Sequence, residues 1–363
     1  MSERIGIVTG GGDCPGLNAV IRAVVKAAAK RGWGSVGFLG GFEGMMEPTR
    51  FLELRYEELG AMLTRGGTIL GTANRGRFSA KVEHGQMRQL APELISGVRD
   101  TMKAMNLRAL VSIGGDGSLA ISQQLWEGGV PLVGVPKTID NDLQGTAMTF
   151  GFDSAVACAT DALDRLHTTA ESHNRVLVLE VMGRYAGWIA LYAGVAGGAD
   201  VILIPEIPFT FGSICAKIEE REKIGKHFTL VVAAEGARER GGAFVTAGAQ
   251  QANREARLGG VSSLVSAEIE KRTAKETRVV VLGHLQRGGC PTTFDRALCT
   301  FFGTEAVELI ASGQYGKMVA FQASGIGSIP IAEAIGQLKL VDPAGRLARA
   351  ARALGISLGD EVP

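Results

Sequence analysis

The chain has 363 residues, with 38 lysines and arginines against 37 aspartates and glutamates, and the resulting net charge of +1 provides no global field to recruit nucleic acid or an anionic membrane. That length exceeds one ordinary core and suits two domains. The five cysteines (Cys14, Cys158, Cys215, Cys290 and Cys299) include no CxxC pair, which argues against a zinc ribbon or a disulfide framework and for a reducing, cytoplasmic home.

In chain order, RIGIVTG reads as a buried strand and not as a signal peptide. It runs into TGGGDCPGLN, residues 9 to 18, and then into NAVIRAVVKAAAKRG, residues 18 to 32, which has helical periodicity. Glycines at a strand-to-helix turn let backbone N–H groups converge on an anion at the positive end of the helix dipole. The plainer alternative is a tight turn that allows close helix packing. Gly11 and Gly16 satisfy GxxxxG, but Leu17 and Asn18 stand where a Walker A loop needs lysine and serine or threonine. A dinucleotide fingerprint starting from Gly10 and Gly12 fails at Pro15.

After SVGFLG, the strand ALVSI leads to GGDGS, residues 114 to 118, and to a helix expected from Ser118. Asp116 is the kind of carboxylate that takes Mg2+ beside a polyphosphate, although an aspartate in a glycine turn also serves as a helix cap. The same motif occurs in lipid and NAD kinases. VPLVGV then leads to PKTIDND, residues 136 to 142, so Lys137, Thr138, Asp140 and Asp142 fall at a strand's carboxyl edge. Phosphoryl transfer to a hydroxyl needs positioning, cations on the migrating group and a base for the acceptor proton. Asp140, ionised at neutral pH like any ordinary aspartate, suits the base. In the competing reading Asp140, Asn141 and Asp142 are turn formers.

SAVACATDALDRLHTTAES, residues 154 to 172, reads as a helix, and RVLVLEVMG as the next strand. The most apolar stretch, WIALYAGVAGGADVILIP, is broken by Gly194, Gly197, Gly198 and Asp200, so it reads as a buried helix followed by a strand and not as a membrane span. FTLVVAAEG and RVVVLGH are further strands. Between them, residues 236 to 277 form a charged excursion with a helix at GGVSSLVSAEIEKRT. QLKLVDPAGRLARAARALG near the end reads as a closing strand, a turn and a short basic helix. Strands apolar throughout and alternating with helices predict an α/β protein of two Rossmann-like three-layer αβα domains with largely parallel sheets. Ligands bind such sheets at the strands' carboxyl ends. Isolated arginines at strand ends (Arg175, Arg184, Arg278 and Arg287) form with Glu235 and His284 a set whose donors suit a sugar phosphate.

Taken together and in this order, GGGDCPGLN, GGTILGTANRG, IGGDGS, PKTIDND, NRVLVLEVMGRYAGW and VLGHLQRGG closely resemble the phosphofructokinase family, over about residues 4 to 310. The resemblance implies an ATP-binding domain over 1–151 and 286–336, and a fructose 6-phosphate domain over 152–285 and 337–363. It makes Asp140 the base toward the 1-hydroxyl of fructose 6-phosphate, with Thr138, Asp142, Lys137 and Arg184 beside it. Gly11, Gly12, Asp116, Gly117 and Ser118 match the donor site, with Asp116 on Mg2+, and Asn74 or Arg75 the residue bridging donor and acceptor. Met182, Gly183, Arg184, Glu235, His284 and Arg287 match the sugar-phosphate site. Arg175 and Arg278 match arginines that reach a neighbouring subunit's site, which implies a homo-oligomer, a tetramer or a dimer. Glycine at position 117 accompanies ATP in the family because a carboxylate there would repel the α-phosphate, whereas lysine at 137 accompanies pyrophosphate. An obstruction excludes more decisively than one attraction selects, so ATP is the expected donor. Arg22 and Lys26 fall where regulated members bind an effector, but His167 and Asp200 replace residues used there, which implies altered control.

Overall fold

The computed structural model describes residues 3–73, 76–78, 89–246 and 258–361. The strands are β1 (Arg4–Thr9), β2 (Gly34–Phe38), β3 (Phe51–Glu53), β4 (Leu107–Gly114), β5 (Leu132–Pro136), β6 (Val176–Val181), β7 (Val201–Leu203), β8 (Thr229–Ala234), β9 (Thr277–Val281), β10 (Lys317–Gln322) and β11 (Gly325–Pro330). The helices are α1 (Leu17–Lys30), α2 (Pro92–Ala104), α3 (Asp116–Glu127), α4 (Phe152–His173), α5 (Trp188–Ala196), α6 (Phe211–Lys223), α7 (Val261–Thr273), α8 (Thr293–Ala311), α9 (Ile331–Ile335) and α10 (Arg346–Ala353). They divide into two compact units, one of Met1–Ser154 with Arg287–Leu338, the other of Ala155–Gln286 with Lys339–Pro363.

The first unit is built on a seven-stranded sheet of order β11-β10-β5-β4-β1-β2-β3. Its central pairs are parallel, while β3 and β11 pair antiparallel at the two edges. Alternate strand residues Val8, Val36, Phe38, Leu110, Leu132 and Met318 pack on Leu94 and Val98 of α2, Leu119 and Leu125 of α3 and Ile331 of α9. α1 and α8 pack on each other, with Gly303 of α8 close enough that an added Cβ would lie 2.8 Å from Val20 O. The second unit has a wholly parallel sheet, β7-β8-β6-β9. Val178, Leu203 and Val231 meet Ile214 of α6 and Val265 of α7 in one cluster; Leu177 and Leu230 meet Ala170 of α4 in another. The α/β class with largely parallel sheets is as the strand pattern predicted.

Two local expectations differ from the structure. α3 starts at Asp116 and not at Ser118, because Gly115 in an extended conformation is its N-cap. QLKLV does not form a strand: Leu338 makes only an isolated bridge to Leu143. The closing pair is instead the hairpin β10–β11, whose partly exposed, glycine-rich β11 lacks the uniform apolar signature of the other strands. No helix among the described residues is long and apolar enough to cross a membrane.

Candidate active site

β1 and β4 are neighbours where the order of the first sheet reverses, with β2 beyond one and β5 beyond the other. Both end in glycine turns, so the two turns open together at the switch point, where such sheets bind ligands. They are also packed on each other. Gly10 N–H donates to Ile113 O at 2.9 Å. A Cβ on Gly10 would lie 2.4 Å from Ser118 Oγ, and one on Gly114 2.2 Å from Ser118 Cβ. These two glycines are therefore required for close approach, a need that spacing alone did not distinguish from phosphate contact. Gly117 is different: a Cβ there would meet nothing within 4 Å, so no packing among the described residues demands a glycine.

Asp116, Gly117 and Ser118 form the first turn of α3. Asp116 is not the N-cap, and its Oδ1 accepts the Gly117 N–H at 2.6 Å. Among the described residues no three His, Cys, Asp or Glu side chains cluster as a metal cage. A single carboxylate is nevertheless enough protein donor for Mg2+ when substrate phosphates and water complete its shell, and the positive helix end beside it favours those phosphates.

The PKTIDND segment folds back against the same turns. Lys137 N–H donates to Gly114 O at 3.0 Å, and a Cβ on Gly115 would lie 3.2 Å from Lys137 O. Thr138 Oγ1 accepts the Asp140 N–H at 3.1 Å, and Thr138 O accepts the Thr149 hydroxyl at 2.7 Å. Asn141 takes the left-handed conformation (φ 51°) and its Oδ1 accepts the Thr149 N–H at 3.0 Å. The turn-forming role thus falls to Asn141. Asp140 and Asp142 are only 5% and 8% exposed, a costly place for carboxylates that merely shape a loop.

Lys137 is itself buried, and its Nζ donates to Gly12 O, tying the acceptor loop to the first glycine turn. Burial lowers its ammonium from the usual lysine range; the charges of Asp140 and Asp116 act in the opposite sense. Arg287, assigned by resemblance to the sugar-phosphate set, donates from Nη1 to Asp13 O at 3.2 Å, and a Cβ on Gly12 would lie 2.9 Å from that nitrogen. The first unit therefore gathers Gly11, Gly12, Asp116, Gly117, Ser118, Lys137, Thr138, Asp140 and Arg287. Burial pushes the neighbouring Cys14 thiol up to about 12, so it is no nucleophile at neutral pH. All five cysteines are free. Asn74 and Arg75 lie outside the described residues.

In the second unit, β8, β6 and β9 are adjacent and their carboxyl ends carry Glu235, the Met182–Arg184 turn and His284. Arg184 is left-handed (φ 51°), and Glu235 Oε1 accepts its N–H at 3.2 Å. Gly236 permits this turn: an added Cβ would lie 1.9 Å from Arg184 O. Nothing in the sequence marked that glycine. Arg175 and Arg278, read from the residues as part of one constellation, sit at the opposite edge. Arg175 precedes β6 and Arg278 pairs with Leu177 near its start, about 20 Å of strand away from Arg184. Arg175 Nε lies 2.8 Å from Glu276 Oε2, and Arg278 also pairs with Glu276. Within one chain they do not join the set, since a strand separates its two ends. Of the residues at the implied effector positions, Asp200 pairs with Arg221 at 2.5 Å, and His167 meets the Phe228 ring edge-on with centroids 5.0 Å apart.

The family model described as Phosphofructokinase matches residues 4–310. An "ATP-dependent 6-phosphofructokinase" of Chloroflexus aurantiacus is 52% identical over 360 residues, covering 99% of both chains. A "Pyrophosphate--fructose 6-phosphate 1-phosphotransferase" of Streptomyces coelicolor is 48% identical over 344 residues, covering 94% of this chain and 97% of its own. Among solved structures, the Pichia pastoris phosphofructokinase in the T-state superposes with a TM-score of 0.79 at 28% identity, covering 99% of this chain and 37% of that longer one.

Proposed function

The chain belongs to the phosphofructokinase family, and from that premise we propose that it is an ATP-dependent 6-phosphofructokinase, converting fructose 6-phosphate to fructose 1,6-bisphosphate in glycolysis. The observation that carries the donor assignment is Gly117. Relatives at 49 to 52% identity bear the ATP-dependent name and one at 48% bears the pyrophosphate name, which favours ATP. A Cβ at 117 would meet no atom of the described residues within 4 Å, so the position borders open space that a ligand can occupy. The α-phosphate and nucleoside of ATP need that room and pyrophosphate does not. Lys137, the feature favouring pyrophosphate, has its ammonium directed to Gly12 O.

The first unit is the donor domain in this reading. The amino end of α3 and the glycine turns receive the phosphates, whose charge the helix dipole favours. Asp116 would hold Mg2+, which when bound neutralises charge on the donor phosphates. Asp140 accepts the proton of the 1-hydroxyl as its oxygen attacks the γ-phosphorus, and the bond to the β-phosphate oxygen breaks, releasing ADP. Lys137 and Thr138 hold that carboxylate's loop in place, and Asp142 belongs to it. The second unit is the sugar-phosphate domain, with Met182, Gly183, Arg184, Glu235 and His284, and Arg287 completing the set. Arg175 and Arg278 serve a neighbouring subunit of a homo-oligomer, tetramer or dimer, an arrangement consistent with their place at the far strand ends. Five free cysteines fit a cytoplasmic enzyme.

Initial rates with fructose 6-phosphate and either ATP or pyrophosphate test the reading. ATP should support turnover in the wild type, and Gly117→Asp should abolish ATP use while leaving the fold intact by circular dichroism. Faster turnover with pyrophosphate than with ATP would overturn the donor assignment.

A further inference from the structure

In the short 3-10 turn Gly283–Arg287, His284 and Leu285 are exposed, whereas Gln286 is 1% exposed. A buried glutamine costs free energy unless its amide is used. Its Oε1 accepts the Met182 N–H at 2.8 Å, and because an N–H can only donate, that contact settles which end of the amide is oxygen. Its Nε2 is buried with no hydrogen-bond partner among the described residues. One half of the side chain is thus satisfied by a single backbone group and the other half is not satisfied at all. Packing alone would be better served by leucine or methionine at this place.

The group it holds belongs to the turn carrying Arg184. That turn is left-handed at a non-glycine residue, a conformation that persists only where surroundings enforce it. It is restrained at Arg184 by the Glu235 carboxylate and at Met182 by Gln286. Arg184 has the guanidinium; Gln286 has no charge to offer a phosphate and no exposed atom to touch one.

We propose that Gln286 is a positioning residue of the acceptor site, fixing the Met182–Arg184 turn in the conformation that presents Arg184 to the sugar phosphate. This rests on the fructose 6-phosphate reading above. Gln286→Met removes the acceptor at nearly constant volume, and Gln286→Glu keeps an acceptor oxygen. The measurements are KM for each substrate, kcat and the thermal unfolding midpoint. Losing one such hydrogen bond should raise the KM for fructose 6-phosphate about 5- to 10-fold in the methionine variant, with the KM for ATP within about 2-fold and no fall in the midpoint. The glutamate variant should recover most of the fructose 6-phosphate affinity. An unchanged fructose 6-phosphate KM in the methionine variant overturns the proposal, as does a parallel loss for both substrates with a lowered midpoint. If the methionine variant does not fold, a glutamate variant with wild-type midpoint and weakened fructose 6-phosphate binding overturns it equally. A wild type inert toward fructose 6-phosphate with either donor defeats the underlying reading, a result distinct from an active wild type with an unaffected variant.

Discussion

The carboxyl edge of the first sheet and the amino edge of the second hold their ionic groups in opposite ways. At the first, Lys137, Asp140 and Asp142 are 4 to 8% exposed and the segment is tied to both glycine turns through Gly12 O and Gly114 O. At the second, the side chains of Arg175 and Arg278 are 29 and 55% exposed and share one carboxylate, Glu276, itself 44% exposed. Exposed ion pairs are weak and exchangeable, whereas buried charges must be fixed by their own chain. The difference separates residues set in place within a unit from residues able to change partner. It accords with the proposed roles of Asp140 as a preorganised base and of Arg175 and Arg278 toward a neighbouring subunit.

The largest effect is expected at the buried edge. Asp140→Asn should cut kcat by about 10² to 10⁴ while fructose 6-phosphate still binds, checked by steady-state turnover and titration calorimetry. A variant retaining full turnover would remove Asp140 from the mechanism. Next comes Gly236→Ala, whose methyl would lie 1.9 Å from Arg184 O, backbone that cannot yield cheaply. It should destabilise the protein by about 1–3 kcal/mol in urea and raise the fructose 6-phosphate KM, because overpacking displaces the turn. Wild-type values for both would show the turn to be compliant.

A pH comparison sharpens the contrast further. Asp295 of α8 is fully buried, with Oδ1 accepting Gly151 N–H at 3.0 Å and Oδ2 accepting Ser154 N–H at 2.9 Å and Ser154 Oγ–H at 2.6 Å. Burial outweighs these donors and pushes its carboxyl from the ordinary 3.8 up to about 6. A raised acid stabilises the fold fully below its unfolded pKa, and that stabilisation is lost as pH rises through the folded one. The stability advantage of wild type over Asp295→Asn should therefore shrink by about 1 kcal/mol between pH 5 and 7, read from urea midpoints. An advantage that grows over this range would reverse the sign. The smallest stability effect belongs to the exposed edge: Arg278→Ala should leave the unfolding midpoint unchanged while raising the KM for fructose 6-phosphate. A lowered midpoint with unchanged KM would make Arg278 a structural residue only.

Much of the candidate site was legible because it lies in short, contiguous motifs at strand ends. GGDGS and PKTIDND each follow a uniformly apolar strand, and that alone places both at a carboxyl edge. The strands missed, β3, β10 and β11, are edge or antiparallel elements whose exposure interrupts the apolar run that marks the others. Gln286 and Gly236 were illegible for another reason. A glutamine has no hydropathy signature of burial, and a glycine needed for one carbonyl's approach looks like any loop glycine.

By itself the amino-acid sequence determined the α/β class, the strand-to-turn motifs and the chemistry they can carry, because local periodicity and side-chain type are properties of neighbouring residues. Three-dimensional packing alone makes Lys137 and Arg287 lean on the Gly12–Asp13 backbone, leaves Gly117 bordering open space, and sets Arg175 and Arg278 a strand's length from Arg184. Those facts depend on which strands become neighbours and on which end of each faces the site, and that choice is made by long-range packing across residues far apart in the chain.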